Sequence, residues 1–244
     1  MIHALTEPDV LRIWEAGLSQ PPAAKALTVL AAAFPDVSRA DLGALTVGQR
    51  DARLLDVRER LFGPTMTATA ACPSCWERVE FGLRTDHLRL SIGDAAQHTD
   101  TLSIGGYEIT FRLPDSYDLD CLMDAAGPES ALTALLHRCV LSCHRAGSSV
   151  AIDAVPVTVV EELAAQMAAL DPQSETQLAL QCVHCGHPWQ VLLDIVAFLW
   201  VEIAAHVRRL LREVHDLARA YGWHERDILA MSPVRREAYR ELAG

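Results

Sequence analysis

The chain has 244 residues, half of them apolar and 22% charged, with seven cysteines. That length suits one large domain or two small ones, and 13 Gly with 12 Pro exclude collagen-like, mucin-like and wholly disordered classes. Thirty-two acidic residues against 21 basic ones give a formal charge of -11, with Lys25 the only lysine, which argues against a nucleic-acid binder because such proteins carry a basic surplus.

The start, Met1 to Glu7, lacks a basic segment followed by an apolar core, so no secretory signal, a cytoplasmic location and reduced cysteines are expected. Thr6 as N-cap with Asp9 three positions on opens a first helix, which carries Val10, Leu11 and Trp14 on one face up to Gly17. Pro21-Pro22 opens a second, with Ala26, Leu27, Leu30 and Ala31 inward, and Pro35 stops it. Thr46 caps a third, whose Leu54, Leu55, Val57 and Leu61 form a stripe before Gly63-Pro64. Residues 1–65 read as a helical N-terminal unit.

The texture changes at Met66. Thr67 to Ala71 leads into Cys72-Pro73-Ser74-Cys75, then Val79, Phe81 and Leu83 alternate with polar neighbours, so 66–84 reads as strand, tight turn, strand. Residues 85–175 read as an α+β insertion. Short strands run from Leu88 to Leu113 with a hairpin at Gly105-Gly106. Helical spacing then covers 117–170, with Leu132, Leu135, Leu136, Cys139 and Val140 on one stripe and Val159, Leu163, Met167 and Leu170 on another.

A second strand-turn-strand occupies 176–193 around Cys182-Val183-His184-Cys185. Asp194 then caps the longest helix, running to Gly222 with Ile195, Leu199, Ile203, Val207, Leu210, Val214, Leu217 and Tyr221 stepping by three or four, about 40 Å in length. Val191 to Val207 is the most apolar stretch, but Asp194, Glu202 and His206 within it argue against a membrane span. A short helix near Glu225 to Met231 and one from Ser232-Pro233 complete the unit 194–244. The predicted fold class is α+β, mainly helical: a helical N-terminal unit, a split zinc ribbon with a large α+β insertion, and a long C-terminal helix.

Cys72-x-x-Cys75 and Cys182-x-x-Cys185 carry the strongest chemical signal. Each turn sets two thiolates on one side of a knuckle, and two knuckles complete the tetrahedron that zinc favours. Because 106 residues separate Cys75 from Cys182, the metal would join distant parts of the chain. Four free thiols or a redox pair are the alternatives, but a thioredoxin-like site needs a helix opening at the motif, whereas strand patterns follow both turns. Four sulfur ligands leave no open position, so the zinc would be structural. Cys139 and Cys143 lie at helical i, i+4 spacing and, with Cys121, read as interior thiols. His184 and His187 read as knuckle surface.

Asp115, Asp118, Asp120 and Asp124 form a carboxylate cluster that suits a helix N-terminus better than an acid/base pair. There is no Gly-rich phosphate loop, GxSxG elbow or HExxH helix, so neither an enzyme nor a small-molecule substrate is expected. The aromatic and arginine-rich end supplies residue types that dominate interfaces. Trp200, Tyr221, Trp223, Arg235, Arg236 and Tyr239 are the candidate partner-binding residues; the alternative is a tail folded back on its own long helix.

Trp14-Glu15-Ala16-Gly17, Gly48-Gln49-Arg50-Asp51, Leu54-Leu55-Asp56-Val57-Arg58 with Phe62-Gly63, the first knuckle with Glu77 and Glu80, Arg112-Leu113-Pro114 with Asp118-Leu119, and Cys182-x-x-Cys185-Gly186 with Trp189 follow one another in an order that resembles the T-even-type phage baseplate family. The resemblance continues through Leu193-Asp194-Ile195, Phe198-Leu199-Trp200, Tyr221-Gly222-Trp223 with Glu225, Ile228-Leu229, and Arg235-Arg236 with Tyr239. It implies a baseplate protein or baseplate hub assembly chaperone, of a kind also encoded with phage-tail-like contractile injection systems, whose partners are baseplate hub or wedge proteins. One departure is visible: Trp76 stands where Gly186 follows the second knuckle, which puts the symmetry of the two turns in question. Two other classes compete with this reading. A zinc-ribbon nucleic-acid-binding regulator predicts a basic face near the knuckles, where only Arg78 and Arg84 lie close in sequence, and a hydrolase would need a pocket around Asp115 to Asp124.

Overall fold

The computed structural model describes residues 2–90 and 99–243 and shows a mainly helical α+β protein. The N-terminal unit holds α1 (Glu7–Gly17), α2 (Pro22–Ala33), α3 (Arg39–Gly43) and α4 (Val47–Phe62). In α1 the Thr6 hydroxyl accepts from the Asp9 backbone N–H while the Asp9 carboxylate accepts from the Thr6 N–H. Thr46 and Gln49 do the same for α4. Each reciprocal pair satisfies two otherwise unpaired donors of a helix start. At five residues, α3 is too short for a periodic signal and is absent from the sequence reading; Ser38 caps it by accepting from the Asp41 N–H.

Two strands, β1 (Thr65–Ala71) and β2 (Arg78–Arg84), form an antiparallel ribbon in which Ala71 faces Arg78 across the first knuckle. After α5 (Thr85–Leu88) the insertion supplies β3 (Thr99–Ile104), β4 (Tyr107–Arg112), α6 (Ser116–Cys121), α7 (Pro128–Cys139), β5 (Val140–Arg145), β6 (Ser148–Ser149) and α8 (Val157–Leu170). Its strands make one antiparallel sheet in the order β3-β4-β5-β6. The Gly105-Gly106 hairpin is present, with φ of 58° and 80° at its two glycines, values that suit a two-residue turn.

The helical stripe predicted through Cys139 and Val140 is corrected. The helix stops at Cys139, and the chain turns directly into β5, where Ile109 pairs with Cys143. The reason lies in pairing with β4, where Phe111 faces Val140 and Glu108 faces His144, so the backbone groups from Val140 onward find partners across the sheet. Ala146 and Gly147, at φ 50° and 79°, then turn the strand back.

The second ribbon pairs β7 (Gln177–Gln181) with β8 (Pro188–Leu192). It feeds α9 (Ile195–Tyr221), whose start is capped by Asp194 accepting from the Ala197 N–H at 2.9 Å and whose end is turned by Gly222 at φ 72°. Two short elements follow, α10 (Glu225–Leu229) and α11 (Pro233–Ala243). Among the described residues, no helix is long and apolar enough to cross a membrane.

Among the described residues the apolar side chains gather in two main cores and a small cluster at the knuckles. In the larger, Leu199, Ile203, Val207 and Leu210 of α9 join a cluster with Val10 and Ile13 of α1, Leu27 and Leu30 of α2, and Leu54 and Leu55 of α4. The smaller belongs to the insertion and holds Ile109 and Phe111 of β4, Cys143 of β5, and Val159 and Leu163 of α8. Arg58 of α4 is buried beside α9, where its Nη2 and Nε donate to the two Glu202 carboxylate oxygens at 2.6 and 2.8 Å. Backbone groups tie the two cores together. The Val47 N–H donates to the Pro114 carbonyl at 3.1 Å, and the Gly48 N–H donates to Asp171 Oδ2 at 2.8 Å.

Candidate metal centre

Each ribbon carries its CxxC at the turn, and the two turns fold alike. In the first, the Cys72 N–H donates to the Glu77 carbonyl and the Trp76 N–H to the Cys72 carbonyl, both at 2.9 Å. In the second, the Cys182 N–H donates to the His187 carbonyl at 3.0 Å and the Gly186 N–H to the Cys182 carbonyl at 2.9 Å. Trp76 has φ 63° and Gly186 φ 74°. The Trp-for-Gly departure therefore leaves the backbone symmetry intact, and the indole avoids crowding by pointing into solvent at 78% exposure.

The turns face one another and bring all four sulfurs within 4.8 Å. Across the pair, Cys72 Sγ lies 3.7 Å from Cys185 Sγ, and Cys75 Sγ lies 3.6 Å from Cys182 Sγ. A tetrahedron with metal–sulfur bonds of about 2.3 Å has edges of about 3.8 Å, so the spacing fits a four-thiolate metal site. Cys72 and Cys182 are buried, Cys75 is half-buried and Cys185 exposed. Val79 is buried in the same small cluster, with Trp189 packed against it. Among the described residues no other group of His, Cys, Asp or Glu gathers its ligand atoms in this way.

The local electrostatics favour thiolate at one corner and oppose it at another. The backbone N–H of Cys185, joined by that of His184, donates toward Cys182 and lowers its thiol to about 6. The Glu77 N–H does likewise for Cys75, but burial and the three neighbouring sulfurs outweigh it and push that thiol up to about 12. Four crowded thiolates require a compensating positive charge, which a divalent metal would provide.

His184 and His187 are exposed and stand outside the cluster. Cys139 and Cys143 are buried, whereas Cys121 is exposed, a correction to its reading as an interior thiol. Burial, followed by the nearby Asp118 carboxylate, pushes the Cys139 thiol up to about 12.

The carboxylates after Pro114 do not converge on a reaction centre. Asp115 caps α6 by accepting from the Tyr117 and Asp118 N–H groups at 2.8 and 3.0 Å. Asp118 is fully buried and accepts from Arg112 at 2.6 and 2.7 Å and from Arg138 at 2.6 Å. Burial alone would raise its carboxyl, but the bonds from Arg112, the Asp115 N–H and Arg138 prevail and hold it at about 2. Asp120 lines a separate cleft of about 300 Å³ with Asp51 and Asp194, and the Asp124 side chain lies outside the described residues.

The chain end folds back on α9. Arg236 is 2% exposed and sits between α1 and α9, donating through Nη2 to Glu7 at 2.6 Å and through Nε to Glu213 at 3.0 Å. It is a clamp within the fold, a correction to its reading as a partner contact. Tyr221 and Trp223 stack at 4.4 Å, and Tyr239 meets them edge-on at 5.7 and 4.8 Å. Arg235 lies over the Tyr239 ring at 5.6 Å. Trp200 packs on Gly17, where an added Cβ would come within 2.1 Å of the indole, and Lys25 lies 4.9 Å from its ring. The ion pairs of Arg58 with Glu202 and of Arg236 with Glu7 were not readable from spacing, because 144 and 229 positions separate their members, whereas Arg112 and Asp118 lie within one short stretch.

Residues 23–200 match the family described as T4 bacteriophage base plate protein. The chain belongs to that family. Comparison with curated proteins and with solved structures gives no match. The family match takes in both knuckles and ends at Trp200, six residues into α9, so most of that helix and the folded-back tail lie beyond it.

Proposed function

We propose that this protein acts without enzymatic activity as a baseplate component or baseplate assembly chaperone of a contractile phage-tail-like particle, stabilised by one structural zinc on Cys72, Cys75, Cys182 and Cys185. The observation that carries the reading is the family match over 23–200. The sulfur cluster supports the zinc, since its spacing and all-thiolate donor set suit that ion. In this reading the metal fastens the 66–84 and 176–193 ribbons together at the two ends of the 85–175 insertion, between the 1–65 helical unit and the 194–244 tail.

The partners are other baseplate proteins, of the hub or the wedge. Tyr221, Trp223, Arg235 and Tyr239 supply the aromatic and cationic side of the tail, with Trp200 and Arg236 fixing its support. The acidic balance of -11 suits protein partners and disfavours the nucleic-acid regulator. Mass spectrometry of assembled particles tests the reading: a resident subunit appears at fixed stoichiometry, and a chaperone is absent from the particle yet required for its baseplate. Particles that keep an intact baseplate and full activity when the chain is deleted would overturn both versions.

A further inference from the structure

The C-terminal half of α9 carries a cationic ridge that the fold has deprived of its own counter-charges. Arg208, Arg212, His215 and Arg219 recur at four, three and four residues, so they share one face of the helix, and all four are exposed. From Ile203 to Tyr221 the helix has two carboxylates, Glu213 and Asp216. Both are engaged by α11: Glu213 accepts from Arg236 at 3.0 Å, and Asp216 lies 3.3 Å from Arg240. Among the described residues no carboxylate pairs with Arg208, Arg212 or Arg219, although acidic residues outnumber basic ones in the chain as a whole.

The same face also carries apolar side chains. Leu211 is 38% exposed within the cationic stretch, and Val201, at 68%, lies on this face nearer the start of the helix. Val201 borders a cleft of about 390 Å³ between the two ribbons and α9, lined also by Phe81, Leu178 and Val191. Val201 to Arg219 spans about 27 Å of helix. An apolar cleft at one end continued by unpaired arginines complements a segment with an apolar anchor and a row of carboxylates. Phosphate of a nucleic acid would gain nothing from the cleft and would be repelled by the net charge.

We infer that the exposed face of α9 docks an acidic amphipathic helix of another protein, its apolar end in the cleft between the ribbons and its carboxylates along Arg208, Arg212 and Arg219. This deepens the baseplate reading and rests on it for the source of the helix.

A photo-crosslinking residue at Leu211 of the full chain, in cells that assemble the particle, tests the inference, with Val234 on α11 as the control position. The expected result is a crosslink from Leu211 to an acidic segment of a baseplate protein and none to that segment from Val234. Charge reversal (R208E/R212E/R219E) should lower the crosslink yield at least about tenfold, whereas R208K/R212K/R219K retains it; unchanged zinc content and circular dichroism show that both variants fold. A crosslink to nucleic acid, the same yield after charge reversal, or no crosslink at Leu211 while the chain is still needed for the baseplate overturns the docking face alone. A crosslink to an acidic segment of a protein outside the baseplate upholds the face and overturns the baseplate source.

Discussion

Trp76 and Gly186 occupy the same left-handed backbone position, φ 63° and 74°, one residue past the second cysteine of their respective turns. Only glycine takes that conformation without a steric cost, so the first knuckle is strained where the second is relaxed. Trp76→Gly removes the strain and, because the indole is 78% exposed, little buried surface. After allowance for the freer unfolded chain, denaturant unfolding of the metal-loaded variant should show stability unchanged or raised by up to about 1 kcal/mol. A loss larger than that would mean the indole packs on its own fold.

Elemental analysis of the purified protein should find one zinc per chain. Cys72→Ser or Cys182→Ser removes a ligand from the buried side of the site and should lower stability by at least about 3 kcal/mol. A strong chelator should shift the melting temperature of the unsubstituted protein in the same direction and leave the serine variants nearly unmoved.

Acid should loosen the insertion before the bundle. Asp118 is held at about 2, below its ordinary value of 3.8. A depressed carboxyl contributes stability that is full above its unfolded pKa and is lost as pH falls through the folded one. The contribution, about 2 kcal/mol, should therefore disappear between about pH 4 and pH 2. Asp118→Asn should flatten that part of the stability profile; an unchanged acid limb would remove Asp118 from the account.

Adding a methyl at Gly48 tests the joint between the two cores. A Cβ there would lie 2.0 Å from Asp171 Oδ1 and 2.9 Å from the Ser174 nitrogen. Gly48→Ala should cost about 2–3 kcal/mol and raise hydrogen exchange around Asp171 more than in α9.

Arg236 holds the tail by two carboxylates from different helices, Glu7 and Glu213. Arg236→Ala leaves both without their partner and should cost about 3 kcal/mol. Limited proteolysis should then cut between α10 and α11. Equal resistance to cleavage would show that the aromatic stack of Tyr221, Trp223 and Tyr239 holds the tail unaided.

The features legible in the sequence are those written in neighbouring residues. The Thr6 and Thr46 caps, the Gly105-Gly106 hairpin, the two CxxC turns and the three-four rhythm from Ile195 to Tyr221 each depend on side chains within a few positions of one another. The strand at Val140–Arg145 was not legible as such, because Leu132 to Val140 continues a helical stripe up to its first residue and the choice is made by pairing with β4. Nor does spacing show that Arg236 is buried. Its partners Glu7 and Glu213 lie 229 and 23 positions away, and only the fold brings them together.

The placement of the sulfurs also links segments that are made far apart in time. Cys75 and Cys182 lie 107 positions apart, so an ion held by all four sulfurs would close a long loop, and the entropic cost of that closure is lower once the insertion has collapsed on its own sheet. Before then each turn is a two-sulfur half-site with weak hold on an ion. The four sulfurs come together only when the chain has passed through the whole insertion and returned, so an ion held by all four would mark the meeting of the insertion's two ends.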